Sequence, residues 1–170
     1  MTGLVFVDTN VLLCRHSLRE PQKRRAVHDW LELLWRTRTG RTSTQVLNEY
    51  YHNATRKLQP AISSVEAWDT VLTYFAWDPV AVDAELIHLA RDVEQRCGLS
   101  WWDCLIVGAA RAQSCSVLLT EDLQDGAAYE GVTVRSPFTS GIAEIPASYL
   151  VTPTVERRHR PRGRPRKAVA

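Results

Sequence analysis

Four acidic residues stand where carboxylates could do chemistry. Asp8 follows the β-prone apolar run Leu4-Val5-Phe6-Val7, and Asp122 follows Val117-Leu118-Leu119-Thr120. Short apolar runs of this kind read as strands buried on both faces. Ligands of open α/β sheets bind at the carboxyl ends of the strands, so both aspartates fall on an expected ligand-binding edge. Asp8 also has a purely structural use, as cap of a helix that begins near Asn10. Glu49 lies mid-helix beside apolar Leu47 and Tyr50; taken alone it is either a solvated surface residue, the commoner case, or one aimed into a cleft. Asp103 completes a Ser100-x-x-Asp103 capping box, and the helix dipole favours an acid there, so by itself it serves a cap equally well.

The elements that must position these acids alternate between short strands and helices. Pro21 opens a helix to Arg38, with Ala26, Val27, Trp30, Leu31, Leu34 and Trp35 at helical spacing, and Gly40 stops it. Thr42-x-x-Gln45 has capping-box form and predicts a helix to about Lys57. Pro60 interrupts, and Ser64 to Ala76 is a further amphipathic helix using Val65, Trp68, Val71, Leu72 and Phe75. A short strand near Val80 precedes a helix over Ala84 to Arg96, closed by Gly98. Ser100 caps the helix that carries Asp103, and Val117-Leu119 and Val132-Val134 read as strands. This order predicts an α/β layer fold with a mainly parallel central sheet flanked by helices.

With 170 residues, 45% of them hydrophobic and 24% charged, the chain has the composition of a globular domain with a real core. No apolar run approaches the ~18 residues of a membrane span, and no basic residue precedes the Leu4–Val7 run as in a secretory leader; a cytoplasmic protein is expected. Cys14, Cys97, Cys104 and Cys115 form no Cys-x-x-Cys pair and read as inert thiols, not as a zinc site. The net charge of +2 conceals an asymmetry. Residues 156–170 hold Glu156 and seven basic groups, a formal +6, whereas 1–155 holds 14 basic and 18 acidic residues, a formal −4. A polyanionic partner is implied.

The phrases Val5-Phe6-Val7-Asp8-Thr9-Asn10, Asn48-Glu49, Trp102-Asp103 and Thr120-Glu121-Asp122 occur in the order expected of a PIN domain. Over roughly residues 3–138 the chain resembles the VapC-type ribonuclease toxins of toxin–antitoxin modules. The resemblance implies a PIN-like three-layer fold and an endoribonuclease whose Asp8, Glu49, Asp103 and Asp122 bind Mg²⁺ or Mn²⁺. Thr9, Asn10 and Thr120 would be supporting polar residues. Asp125 either assists through water or serves the turn at Gly126. The same likeness implies a small antitoxin covering the cleft, and a homodimer. Hard carboxylate oxygens suit these cations, which neutralise an acidic cleft that RNA would otherwise avoid. No histidine or lysine sits in these phrases to replace the metal. There is no Gly-x-x-x-x-Gly-Lys-Ser/Thr or Gly-x-Gly-x-x-Gly loop; a haloacid-dehalogenase phosphatase would want an aspartate at Asn10, and a receiver domain paired acids before its strand.

A domain over 1–150 is therefore expected, followed by a disordered basic tail over 151–170. Within Arg160-Pro161-Arg162-Gly163-Arg164-Pro165-Arg166, the Pro-Arg-Gly-Arg-Pro core resembles an AT-hook. Gly163 lets the backbone approach a groove floor, and Arg162 and Arg164 extend along A·T-rich minor groove, flanked by Arg160 and Arg166. A non-specific polyanion tether is the alternative. Trp101-Trp102 beside Asp103 offers a base-stacking surface, although core packing suits at least one of the two. Set against the enzyme is a non-catalytic DNA-binding or scaffolding protein that uses the body for protein contacts alone.

Overall fold

Val5, Phe6 and Val7 are buried because the strand they form, β1 (Leu4–Val7), has a neighbour on each side. The computed structural model describes residues 3–139; the expected division at 150, the basic tail and its AT-hook lie outside the described residues. The remaining elements are α1 (Thr9–Cys14), α2 (Pro21–Thr37), β2 (Gly40–Arg41), α3 (Thr44–Arg56), α4 (Ser64–Tyr74), α5 (Ala84–Cys97), α6 (Trp101–Ala112), β3 (Cys115–Leu119), β4 (Ala128–Tyr129) and β5 (Val132–Arg135). The five strands form one sheet in the order β2-β1-β3-β5-β4, parallel except for the antiparallel β4–β5 edge. Helices flank it, and the architecture is α/β as the alternation of elements predicts.

Register puts the acids together. Val7 lies opposite Leu119, so β1 and β3 end side by side, and Asp8 N–H donates to the Leu119 carbonyl at 3.1 Å. Residues 113–114 connect α6 to β3, which packs against it. The helix therefore runs back over the strand, and its first turn, with Asp103, reaches the same carboxyl edge.

Three sequence readings are corrected. The cap of α3 is Ser43, whose hydroxyl accepts from Val46 N–H at 3.3 Å. Thr42 is buried and its hydroxyl donates to the Val7 carbonyl, so a tertiary bond takes the side chain that local pattern assigned to a cap. The expected strand at Val80 is a single bridge to Ser43. On α4 the buried residues are Ala67, Val71 and Tyr74, whereas Val65, Trp68 and Leu72 remain 49–69% exposed. Phe75, 49% exposed, opens a short 3₁₀ turn to Trp77 instead of extending the helix. Periodicity marks an apolar face but does not say which part of it the fold covers. No described helix is long and apolar enough to cross a membrane.

Candidate active site

Asp8 is 8% exposed, and its position follows from local chemistry. It sits in extended backbone where β1 turns into α1, and Oδ1 caps the helix by accepting from Thr9 N–H at 2.6 Å. The capping use of Asp8 read from the sequence is observed, and it engages only one of the two carboxylate oxygens. Its other oxygen accepts from the Thr120 hydroxyl at 2.8 Å and from Asn10 Nδ2 at 3.3 Å. Thr120 is fully buried at the end of β3, and its hydroxyl oxygen also accepts from Asn10 Nδ2 at 2.9 Å and from Asp122 N–H at 3.2 Å. Asn10 Nδ2 reaches on to Asp122 Oδ2 at 2.9 Å. Asn10 and Thr120 therefore hold Asp8 and Asp122 as neighbours across the β1–β3 edge.

Glu49 joins from α3. Its Oε2 accepts from the Thr9 hydroxyl at 3.2 Å, and its Oε1 from Gln45 Nε2 at 3.0 Å. Gln45 entered the sequence reading only as a capping residue; its i,i+4 spacing to Glu49 is the signal that marks it as a partner. Asp103 stands apart from this network. Its Oδ2 accepts from the Ser100 hydroxyl at 2.6 Å, and its N–H donates back to the Ser100 hydroxyl oxygen at 3.3 Å, which is the local capping pair. Asp125 points away from the acids and accepts from Ser136 N–H and the Thr139 hydroxyl, both at 2.9 Å, tying the loop after β3 to the end of β5. These bonds, led by that to Ser136, hold its carboxyl below the usual range.

Electrostatics single out Asp8. Burial pushes its pKa up from 3.8 to about 6; bonds from Thr120 and Thr9 oppose the rise, and the charges of Asp122 and Glu49 add to it. Among the described residues no lysine, arginine or histidine forms an ion pair with Asp8, Glu49, Asp103 or Asp122. Lys23 pairs with Glu20 and Glu121 instead. Among the described residues the edge thus carries several carboxylates with no ion-pair partner, and Asn10 Oδ1 is buried there with no hydrogen-bond partner. Such a set of hard oxygens fits Mg²⁺ or Mn²⁺. Among the described residues, however, no three acidic, histidine or cysteine side chains stand close enough to hold a metal between them. Mg²⁺ is commonly held by one or two carboxylates with retained waters and substrate phosphates, and Asp8 and Asp122, which share the Asn10 donor, are one such pair.

Removing the central hydroxyl tests the network. Thr120→Val keeps the shape but removes the donor to the buried Asp8 carboxylate and the acceptor of Asp122 N–H, while Asn10 Nδ2 keeps Asp8 and Asp122 for its two hydrogens. A loss of about 2 kcal/mol is expected by urea denaturation; a variant as stable as the parent would mean the hydroxyl holds nothing.

This sheet order, with acids at the carboxyl edge, defines a class, and the sequence agrees: the PIN domain profile matches residues 5–124, and the chain belongs to that family. Among solved structures, it is similar to a toxin–antitoxin complex from Klebsiella pneumoniae (20% identity, TM-score 0.59), covering 79% of this chain and 98% of that one. It is also similar to DNA-bound VapBC from Salmonella typhimurium (16%, TM-score 0.55), covering 81% and 99% of the two chains. VapBC2 from Rickettsia felis, bound to a DNA fragment from its promoter, aligns at 15% identity and TM-score 0.51 over 78% and 98%. At these identities the likeness is one of fold. No curated protein sequence matches.

Proposed function

We propose that the protein is a Mg²⁺- or Mn²⁺-dependent endoribonuclease, the toxin of a toxin–antitoxin pair. Asp8, Glu49, Asp103 and Asp122 are its catalytic and metal-binding residues. The observation that carries this reading is the buried Asp8, bonded to Thr120 and Asn10 beside Asp122 and Glu49, with no ion pair to any of these acids among the described residues. PIN domains are generally divalent-metal-dependent nucleases.

A divalent ion held there would orient and activate water for in-line attack at phosphorus and offset charge on the leaving oxygen. The chain's own residues prepare that chemistry. Thr120 and Asn10 keep the Asp8 carboxylate in one orientation, Thr9 and Gln45 do the same for Glu49, and burial excludes bulk water from Asp8. Asp103, bonded to Ser100 in the first turn of α6, is the fourth acid of the proposed set. Asp125 orders the loop that presents Asp122.

The solved neighbours described as toxin–antitoxin complexes support an antitoxin as partner. A homodimer, a cytoplasmic location and a nuclease domain ending near 150 complete the proposal. The tail, through Arg160, Arg162, Gly163, Arg164 and Arg166, would bind A·T-rich DNA. A purely scaffolding role would account for Asp8 as the cap of α1 but not for Asp122 and Glu49 gathered beside it.

The test is incubation of the purified chain with RNA in Mn²⁺ and in EDTA. Cleavage is expected only with the metal and is expected to return when Mg²⁺ or Mn²⁺ is restored in excess. Cleavage that persists in chelator overturns the metal-dependent reading.

A further inference from the structure

Beside Glu49 runs a groove of about 520 Å³ between α3 and the first turn of α6. Its volume lies in the range of small-ligand sites, ~300–1,000 Å³. One wall is the outer face of α3, where Asn48, Glu49, His52 and Asn53 recur at the spacing that stacks side chains on one side of a helix, with Lys57 just past its end. Among the described residues, the side chains of Asn48, His52 and Asn53 make no hydrogen bond, and Lys57 forms no ion pair. The opposite wall is Trp102, the residue before Asp103. It is 64% exposed, whereas its neighbour Trp101 packs against the core. A large aromatic face left in water thus looks across a row of amides and an imidazole, next to a carboxylate of the proposed centre.

Resting on the ribonuclease reading, we propose that this groove binds one unpaired RNA base next to the scissile phosphate. Trp102 stacks on the base, Asn48, His52 and Asn53 meet its hydrogen-bonding edge, and Lys57 pairs with a backbone phosphate. A base can lie flat on an indole only after leaving its own stack, so the groove takes an unpaired base and not one within a duplex. Amides and imidazole both donate and accept, and so can distinguish base edges, which an apolar wall cannot. Trp102 also borders an apolar groove lined by Tyr51, Trp68, Val71 and Phe75, where a protein would fit better. The polar side is favoured for RNA because it is the side that contains Glu49.

Binding is read by fluorescence anisotropy in the Asp8→Asn chain, using a labelled mixed-sequence single strand of about 12 nucleotides and a duplex of the same composition. Trp102→Ala is expected to weaken single-strand binding about tenfold or more, and Trp102→Phe far less, because stacking needs only a ring. Duplex binding should not change. In chains that retain Asp8, Trp102→Ala should raise KM with kcat nearly kept, and Asn48→Ala/Asn53→Ala should alter which base flanks the cut ends. Loss shared equally by Trp102→Phe, or by the duplex, overturns the subsite. So does a Trp102→Ala chain that binds and cuts like its parent; the ring then belongs to a protein interface. A parent chain that binds the single strand through Trp102 but never cuts it overturns the ribonuclease reading and upholds the subsite, and one that neither binds nor cuts overturns both.

Discussion

Asp8→Asn should abolish RNA cleavage and, in chelator at pH 7, raise the temperature of unfolding. The activity loss follows from the proposed role: replacing a group that merely supports a metal ligand typically costs 10–100-fold, so losing a direct ligand should cost on the order of a thousandfold. The stability gain follows from burial. Asp8 titrates near 6 in the folded chain against 3.8 in the open one. Between those values the folded state holds the proton more tightly, so stability falls as pH rises from about 4 through 6 and is lowest above. The penalty at pH 7 is about 3 kcal/mol. Asparagine removes the charge and still caps α1 from the same position. Its amide can meet Asn10 Nδ2 donor to donor, which offsets part of the gain. A net gain of about 2 kcal/mol, or roughly 5 °C, should appear by calorimetry. Adding Mn²⁺ should close the gap by stabilising the parent alone, since only the folded carboxylate edge binds it. An Asp8→Asn chain that is less stable than its parent in chelator would show that burial of this carboxylate is not costly. One that cut RNA at the parental rate would remove Asp8 from the mechanism.

Gly40→Ala should destabilise the protein strongly, although it adds a single methyl group. A Cβ at Gly40 would lie 2.6–2.7 Å from three atoms of the Trp77 indole. That ring cannot swing away: it is 2% exposed and packed against Tyr74 and Trp35 at centroid distances of 4.9 and 5.0 Å. Nor can the strand withdraw, because Gly40 pairs with Val5 in the β2–β1 ladder. Overpacking of this kind costs about 1–3 kcal/mol, and with both sides held the upper figure is expected, a fall of about 8 °C in Tm. Activity should fall too, because β2 leads through Thr42 and Ser43 into α3 and so to Glu49. Urea denaturation of Gly40→Ala, Trp77→Phe and the double variant closes the cycle; the smaller ring should recover part of the loss. Strict additivity would show that the two residues do not oppose each other.

Much of this protein is legible in local pattern. The runs at Leu4–Val7 and Val117–Leu119, the Pro21 start of α2, the Ser100 cap and the Gly98 stop are all observed where composition and spacing place them. Each depends on residues within one turn or one strand of each other. Asp8 and Asp122 stand out for the same reason, as acids directly after buried strands, whereas Glu49 and Asp103 look ordinary within their own segments and enter only through the order of the four phrases. Gly40 shows where this stops. Read locally it terminates a helix, but in the structure it is a strand residue whose missing side chain makes room for an indole 37 positions later.

The sequence by itself determined an α/β chain with aspartates at two strand ends, because a buried strand and the residue that leaves it are neighbours in covalent order. Only the tertiary structure decided which groups meet there. Thr120 and Asp122 reach Asp8 and Asn10 across 112 positions, through a parallel β1–β3 pairing that no local spacing encodes. The same packing left Asp103 with Ser100, turned Trp102 outward, and exposed most of the apolar face of α4. Side-chain pairing at a site is set by which elements the core brings alongside one another, and that choice is made by burial summed over the whole domain.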